Sequence, residues 1–554
     1  MAGLDLKQSK IPEFGIYGLS VIGAGALRLF VYVFLGVTVL AGVAFAQLPV
    51  VPAPANSLEA SAVAIQDALA HPSAPLSAYR LNLNNLRRFY AERNLAPAWQ
   101  GSVQQDRDAA VALAALDGAG ADGLDSGPYH VAAIRFRQSL GAPAAMAESD
   151  LLLTAGVLDY MHDLRAGRIA PSQIENDVEL PAVWFDSISS LSSALTSGTL
   201  QQTLVSLQPP HQEYENLKTG LARYRAIEGE GGWPQISALP KEGDETALAS
   251  LWQRLAIEDW SLKGEAETPT ALRDAITHYQ SRNGLEETGV VGKETLAALN
   301  ISVRQRIDQI VANMERWRWL PPFPQKYIEV NTADATLKVV DHGDIILMSR
   351  IIAGKPATPT PIFAAHVVAL TINPYWNIPT KIARKEILPK ERRHPGYMAS
   401  QHIFVAGDGT LKQQPGAGNA LGFLKLEMPN RFDSYLHDTP ARSLFARNDR
   451  HFSHGCMRVQ QIEPLASYVL TGDAAAAKDK LEALIATGVN QRISLDSTLP
   501  VYVLYWTAIA DQSGAVGFRP DIYGRDGRLL AALAGQHLFG RVSLNVDCQA
   551  VSAG

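Results

Sequence analysis

Cysteine is nearly absent: this chain of 554 residues carries 2, Cys456 and Cys548. One bridge would add little to a fold of this size, which excludes a disulfide framework as its source of stability. A surplus of positive charge is missing too. With a net charge of -6, 19% charged residues and no basic run, nothing points to nucleic acid as a partner. There is no Gly-rich phosphate loop, HExxH pair or repeated Cys-pair pattern, so the common nucleotide and zinc signatures are lacking. A hydrophobic content of 47% is that of ordinary globular protein, not of disordered chain. Length suggests roughly three or four domains.

What is present begins at the N-terminus. Lys7, Lys10 and Arg28 precede an apolar run from Leu29 to Ala46, ending Val43-Ala44-Phe45-Ala46-Gln47. Positive charge, a short apolar core and Ala-x-Ala are the order of a secretory signal peptide, with cleavage after Ala46. At about 18 residues the run is also near the lower limit for a membrane span. Residues 1–46 are therefore a signal peptide or an N-terminal anchor. Either way the body is exported to a periplasmic compartment, inner-membrane anchored in the second case. Such a compartment oxidises thiols, so a chain that avoids cysteine yet keeps Cys456 in a His-Gly-Cys turn suggests a reactive thiol. Cys548 has no evident role; a bridge to Cys456 would silence the nucleophile.

Residues 47–80, rich in Ala, Pro and Ser, read as a tether. Residues 81–261 read as helical, with Leu83, Leu86, Phe89 and Tyr90, then Leu153, Val157, Tyr160, Met161 and Leu164, at three- and four-residue spacings. Residues 262–300 form a compact helical unit, with Leu272, Ala275, Ile276 and Tyr279 on one face. From 325 to 510 the texture changes to short β-forming segments such as Ile328, Val330, Leu337, Val339, Ile345 and Ile346. Within it, residues about 380–425 are long, polar and Pro/Gly-bearing, as lids and binding loops are. Residues 511–554 read as a C-terminal extension. The fold class expected is multidomain: a helical scaffold, a small helical domain and a β-rich α+β catalytic domain.

The chemistry concentrates in Ser453-His454-Gly455-Cys456-Met457-Arg458, with His437 upstream. A thiol attacks a carbonyl well once a base takes its proton. Gly455 permits a sharp turn that aims backbone N–H groups at an oxyanion. His454 is close to Cys456 along an extended segment; His437 could arrive from a neighbouring strand, and Asp438 could orient it by side chain or by carbonyl. Two other readings are open. His451, His454, Cys456 and His437 could ligate zinc, although on a strand His451 points away from the face shared by His454 and Cys456. Cys456 could also be a buried structural thiol.

These strings resemble the L,D-transpeptidases, the YkuD-type cysteine enzymes that crosslink peptidoglycan. Gly354-Lys355-Pro356…Thr360-Pro361, Asn373-Pro374-Tyr375-Trp376-Asn377-Ile378-Pro379, Gln414-Pro415-Gly416…Asn419-Ala420-Leu421-Gly422 and Tyr505…Thr507-Ala508…Asp521-Ile522-Tyr523-Gly524-Arg525-Asp526 look like blocks of its large, YcbB-like branch. Phe89-Tyr90…Arg93…Pro97-Ala98-Trp99 looks like that branch's scaffold domain. Leu272…Tyr279-Gln280…Gly284-Leu285…Gly289-Val290…Gly292…Thr295 is similar to the peptidoglycan-binding repeat, with Thr288 where Asp is common. His437-Asp438-Thr439 and Arg458 depart from the His-Gly-Thr and Asn of many members. The resemblance implies Cys456 as nucleophile, His437 as proton donor and acceptor, and Ser453, His454 and Gly455 as support. It implies peptidoglycan stems as partners, 3→3 crosslinks as product, carbapenems as inhibitors, and no cofactor or metal. Arg458 is a candidate for a substrate carboxylate, or a structural salt bridge; Trp376 and Tyr375 are candidates for the site wall, or core. Asn419 is a further substrate-binding candidate. Hydrolysis instead of transfer would give an L,D-carboxypeptidase, and a protein acceptor an anchoring enzyme. A non-catalytic wall-binding protein is the reading from another class.

Overall fold

A computed structural model describes residues 55–79, 81–239, 244–262 and 268–539. The N-terminal signal or anchor, the start of the tether and Cys548 lie outside the described residues. Among the described residues no helix is long and apolar enough to cross a membrane.

Helix α1 (Pro143–Ala166) is the axis of the first domain. Pro143 starts it without losing a helical hydrogen bond, and Gly167, at φ 83°, ends it. Leu151, Leu152, Leu153, Leu158, Met161 and Leu164 are all buried, so apolar residues surround the helix and neighbours pack on every side. Buried Asp150 accepts hydrogen bonds from the Tyr90 hydroxyl at 2.5 Å and from the N–H groups of Ala98 and Trp99 at 2.9 and 3.1 Å. Trp99 Nε1–H donates to Thr154 Oγ1 at 2.8 Å. The polar members of the scaffold-like strings are thus ties between α1 and an earlier loop.

Helices α2 (Gln212–Gly229) and α6 (Val303–Arg318) pack together through Tyr214, Leu217, Leu221, Ile307, Ile310 and Met314. Between them in sequence stand α3 (Glu245–Glu258), α4 (Pro269–Arg282) and α5 (Lys293–Leu299). Leu251, Trp252 and Leu255 of α3 share one core with Ala275, Ile276, Tyr279 and Leu299. The small unit therefore includes α3 and starts before the boundary at 262 read from sequence, and it is inserted between paired helices. Its polar centre is Gln280, whose amide donates to Val290 O (2.8 Å) and to the hydroxyls of Thr288 and Thr295 (both 3.1 Å). Its Oε1 accepts from the N–H groups of Thr288 and Gly289, both at 2.9 Å. Thr288 accordingly fills the Asp position of the repeat with a working hydrogen-bond partner.

The region after residue 325 is built on a 10-stranded sheet. Its main strands are β1 (Lys326–Asn331), β2 (Thr336–Asp341), β3 (Asp344–Gly354), β4 (Ile362–Ile372), β5 (Leu424–Glu427), β6 (Leu436–His437), β7 (Met457–Val459) and β8 (Gln491–Leu504). They run in the order β4-β8-β1-β2-β3-β7-β6-β5, and β5 pairs back onto β4, closing the sheet. Closure leaves few free edges. Alternate residues, among them Val330, Leu337, Val339, Leu426, Leu436, Met457, Val459 and Val501, form the core, with Leu465 and Leu481 from two following helices packed on it. The intervening residues point to the other face.

Residues 511–535 do not stand apart as an extension. Val516 and Phe518 join the α2–α6 core, and Leu529 and Leu533 of α7 (Arg525–Phe539) pack on Ala312 and Trp319. Asp526 accepts from Arg316 at 2.6 Å and from the Thr507 hydroxyl at 2.7 Å. Removing the Gln280 amide would leave several buried groups of the inserted unit unpaired. Gln280→Ala should destabilise that unit by about 2–4 kcal/mol, seen as faster hydrogen exchange over residues 268–300 with β1–β8 unchanged.

Candidate active site

Strand pairing decides which side chains meet. β6 and β7 are parallel, with Leu436 beside Met457 and His437 beside Arg458; on the other side His437 is opposite Lys425 of β5. Leu436, Met457 and Leu426 turn into the core. The alternation then puts Lys425, His437 and Arg458 in a row on the outer face. One step back, the Met457 N–H donates to Tyr435 O at 3.1 Å, extending the ladder and bringing Tyr435 and Cys456 to the same face.

The turn before β7 is tied internally. Gly455 has φ 116°, a conformation suited to glycine. Its N–H donates to Ser453 Oγ at 3.1 Å, and the Ser453 hydroxyl donates to Cys456 O at 2.5 Å. Lys355 N–H and the Thr358 hydroxyl both donate to Ser453 O, at 3.0 and 3.2 Å, so the loop after β3 braces the turn. Because Gly455 N–H is occupied, the N–H of Cys456, which makes no hydrogen bond among the described residues, is the donor left for an oxyanion.

His437 is buried and its Nδ1–H donates to the Asp438 carbonyl at 2.6 Å. A carbonyl only accepts, so the proton is on Nδ1 and Nε2 carries the lone pair. The Asp438 side chain has a different task, accepting from Phe423 N–H at 3.0 Å and Arg442 at 2.9 Å. Burial, then Arg458, then Lys425 disfavour the imidazolium, outweighing the carbonyls of Asp438 and Leu421, and hold His437 down to about 3. Burial likewise raises the Cys456 thiol, against stabilisation of its thiolate by Tyr435, Lys425 and Arg458. At rest the thiol and the imidazole are both neutral, and the Cys456 thiol donates to the Asp433 carbonyl at 3.8 Å.

The other sequence-derived candidates are placed as follows. His454 is exposed and its Nε2 donates to Glu386 Oε1 at 2.6 Å, with Lys355 Nζ at 3.3 Å. His451 Nε2 donates to Thr332 O at 2.9 Å, and its Nδ1 lies 2.8 Å from Asp449. Among the described residues no three His, Cys, Asp or Glu side chains are grouped to hold a metal. Cys456 is half-buried and free, not sealed in a core. Trp376 reaches the Tyr435 hydroxyl and packs on the lid, while Tyr375 is exposed beside Phe404. Asn419 is buried, and its amide donates to the carbonyls of Pro374 (3.1 Å) and Gln414 (2.8 Å). That satisfied position makes it a clamp for its own loop.

The lid is more ordered than a long polar loop. A helical run over 380–393 and three short strands, Trp376–Asn377, Leu411–Gln413 and Ile403–Val405, enclose a small core of Ile378, Ala383, Ile387, Ile403 and Leu411. Its end at 424–425 belongs to β5. Sequence reasoning did not single out Tyr435, Lys425 or Glu386. Tyr435 was accessible by period-two alternation from His437; the other two reach the site only through distant pairing.

Residues 325–481 match the L,D-transpeptidase catalytic domain, residues 84–221 the Scaffold domain, and residues 247–299 the "Putative peptidoglycan binding domain". A Haemophilus influenzae protein named "Putative L,D-transpeptidase" is 30% identical over 237 residues, covering 39% of this chain and 48% of that protein. The chain thus spans about half the length of the curated relative it matches. Among solved structures, an L,D-transpeptidase from Mycobacterium smegmatis is 15% identical, over 32% of this chain and 58% of that one, with a TM-score of 0.19. One from Stackebrandtia nassauensis is 16% identical, over 49% and 95%, with a TM-score of 0.20. The chain carries a YkuD-type L,D-transpeptidase catalytic domain together with a scaffold domain and a peptidoglycan-binding domain.

Two outcomes follow from the geometry. A Cβ on Gly422, which has φ 61°, would clash with the Asp438 carboxylate. Gly422→Ala should therefore shift Asp438 and with it the carbonyl that orients His437, lowering the rate of Cys456 acylation about 100-fold in a folded protein. Burial and the neighbouring Arg458 hold folded His437 down to about 3, against the usual imidazole value of 6.5. Over that window the unfolded state binds the extra proton, so stability is full above 6.5 and falls as pH drops toward 3. His437→Gln should flatten the decline of thermal midpoint between about pH 6 and 4.

Proposed function

We propose that the protein is an exported, periplasmic, cysteine-dependent L,D-transpeptidase that forms 3→3 crosslinks between peptidoglycan stems. The observation that carries this reading is the shared face of Cys456 and His437, with His437 Nδ1 tied to the Asp438 carbonyl. His437 Nε2 takes the Cys456 proton as Sγ attacks the carbonyl of the third stem residue. The Cys456 N–H stabilises the oxyanion, and Tyr435 lies against the sulfur. On collapse the C–N bond breaks, His437 returns its proton to the departing D-alanine amine, and a thioester remains on Sγ. The side-chain amine of a second stem then attacks, loses its proton to His437, and releases the thiol. Water is the competitor, and residues 376–413 as a lid would limit it. Carbapenems should acylate the same sulfur, and the inserted repeat would hold the enzyme to the wall.

The test is mass spectrometry of protein from residue 47 onward with disaccharide-tetrapeptide and, separately, with a carbapenem. Expected are an adduct on Cys456 and a crosslinked dimer, both lost in Cys456→Ala and unaffected by chelator. Tripeptide without dimer would assign a carboxypeptidase, transfer to an added protein an anchoring enzyme. Absence of any adduct would leave wall binding, and loss with chelator a metal site.

A further inference from the structure

A cavity of about 300 Å³ opens between α2, the end of α6, strands β1–β3 and the segment 506–510. None of its lining residues belongs to the site around Cys456 and His437. The strand register builds its floor. Glu329 of β1 is opposite Lys338 of β2, and Lys338 is opposite Met348 of β3. Their neighbours Ile328, Val330, Val339 and Leu347 fill the core of the sheet, so this row turns to the other face. Helix α2 supplies Glu213 and Leu217, and α6 supplies Trp317, whose ring stacks on that of Trp506 at 4.2 Å. Ile345, Met348 and Ile509 form an apolar rim, exposed by 55%, 58% and 36%.

The charges in this cavity do not balance. The carboxylates of Glu213, Glu329 and Asp334 line it, against the cations of Lys338 and Arg519. Arg519 pairs with Asp334. Lys338 is left to serve two acids, its Nζ lying 3.2 Å from Glu329 and 3.5 Å from Glu213. Glu329 and Trp506 are only 6% and 4% exposed, yet Glu329 Oε2 and Trp506 Nε1 complete no hydrogen bond among the described residues. Burial pushes the Glu329 carboxyl up against the pull of Lys338, and Glu213 pushes it the same way. A carboxylate that shares its counter-ion inside a largely apolar enclosure is costly, and a second cation removes that cost. Two indole rings favour a cation beside them, and the apolar rim favours an alkyl arm. The volume is at the lower end of the range for small-molecule sites. We propose that this cavity binds an amphipathic organic cation, an alkylamine or alkylguanidine, with its charged head at Glu329 and Glu213 and its apolar arm along Ile345, Met348 and Ile509. The site is separate from acyl transfer and does not depend on that reading. Its head bridges α2 and the sheet, so binding ties the helical region to the β region. An anion of the same length meets surplus negative charge, and a neutral alcohol gains the rim contacts alone.

The experiment titrates the full chain, carrying 13C at its methionine methyl groups, with n-hexylamine, n-hexanol and hexanoate in turn. The reporter is the Met348 methyl signal, assigned by its loss in Met348→Leu. Hexylamine should shift that signal saturably and bind about ten- to a hundred-fold more tightly than hexanol, the range expected for hydrogen bonds to a charged group. Hexanoate should bind more weakly than hexanol. Glu329→Gln should cut the preference for the amine about ten-fold. If that buried substitution does not fold, Glu213→Gln, at a half-buried position, reads the same ratio. A Met348 signal that hexylamine does not shift saturably, equal affinity for amine and alcohol, or a preference that survives the substitutions would overturn the site.

Discussion

The register between β6 and β7 is the constraint on which the site depends. Pairing Leu436 with Met457 sends two apolar side chains into the core and leaves His437, Arg458, Tyr435 and Cys456 on the opposite face. A slip of one residue would exchange the faces, turning the His437 row into the apolar core and Leu436 and Met457 out of it. The apolar partners therefore fix which polar side chains share the other face. Burial of Leu436 and Met457, both fully enclosed, is the force that keeps a histidine and a thiol from distant segments on one surface.

Around that register the structure adds orientation rather than more chemistry. The Asp438 carbonyl selects the His437 tautomer, the Asp438 carboxylate anchors its own loop, and Gly422 makes room for it. Ser453 ties down the Gly455 turn, and the loop after β3 braces Ser453. Farther out, Tyr523 donates to Gly354 O at 2.6 Å, and Arg525 pairs with Asp177 and Glu175 of the helical region. The brace of the nucleophile turn is thus continuous with contacts to the scaffold, which gives the C-terminal residues a structural reason to wrap back.

Much of this was legible in the chain. Cys456 and His437 stand out because a scarce residue in a Gly turn and a histidine in a short strand are local features. Domain textures were legible because periodicity changes from helical to alternating near 325. The start of the inserted unit was not, since Leu251, Trp252 and Leu255 meet α4 across a connection that reads as a boundary. Lys425 and Glu386 were hidden because their places depend on the β5–β6 pairing and on the packing of the lid. The loop-clamping contacts of Asn419 were not legible, because its bonds to the carbonyls of Pro374 and Gln414 depend on how the loop folds back on itself.

The most direct test of the account is 15N NMR of histidine-labelled protein, with His437 assigned by comparison with His437→Gln. The account predicts a neutral ring protonated on Nδ1, with Nε2 bare, persisting well below pH 6. An imidazolium at neutral pH, or a proton on Nε2, would contradict it.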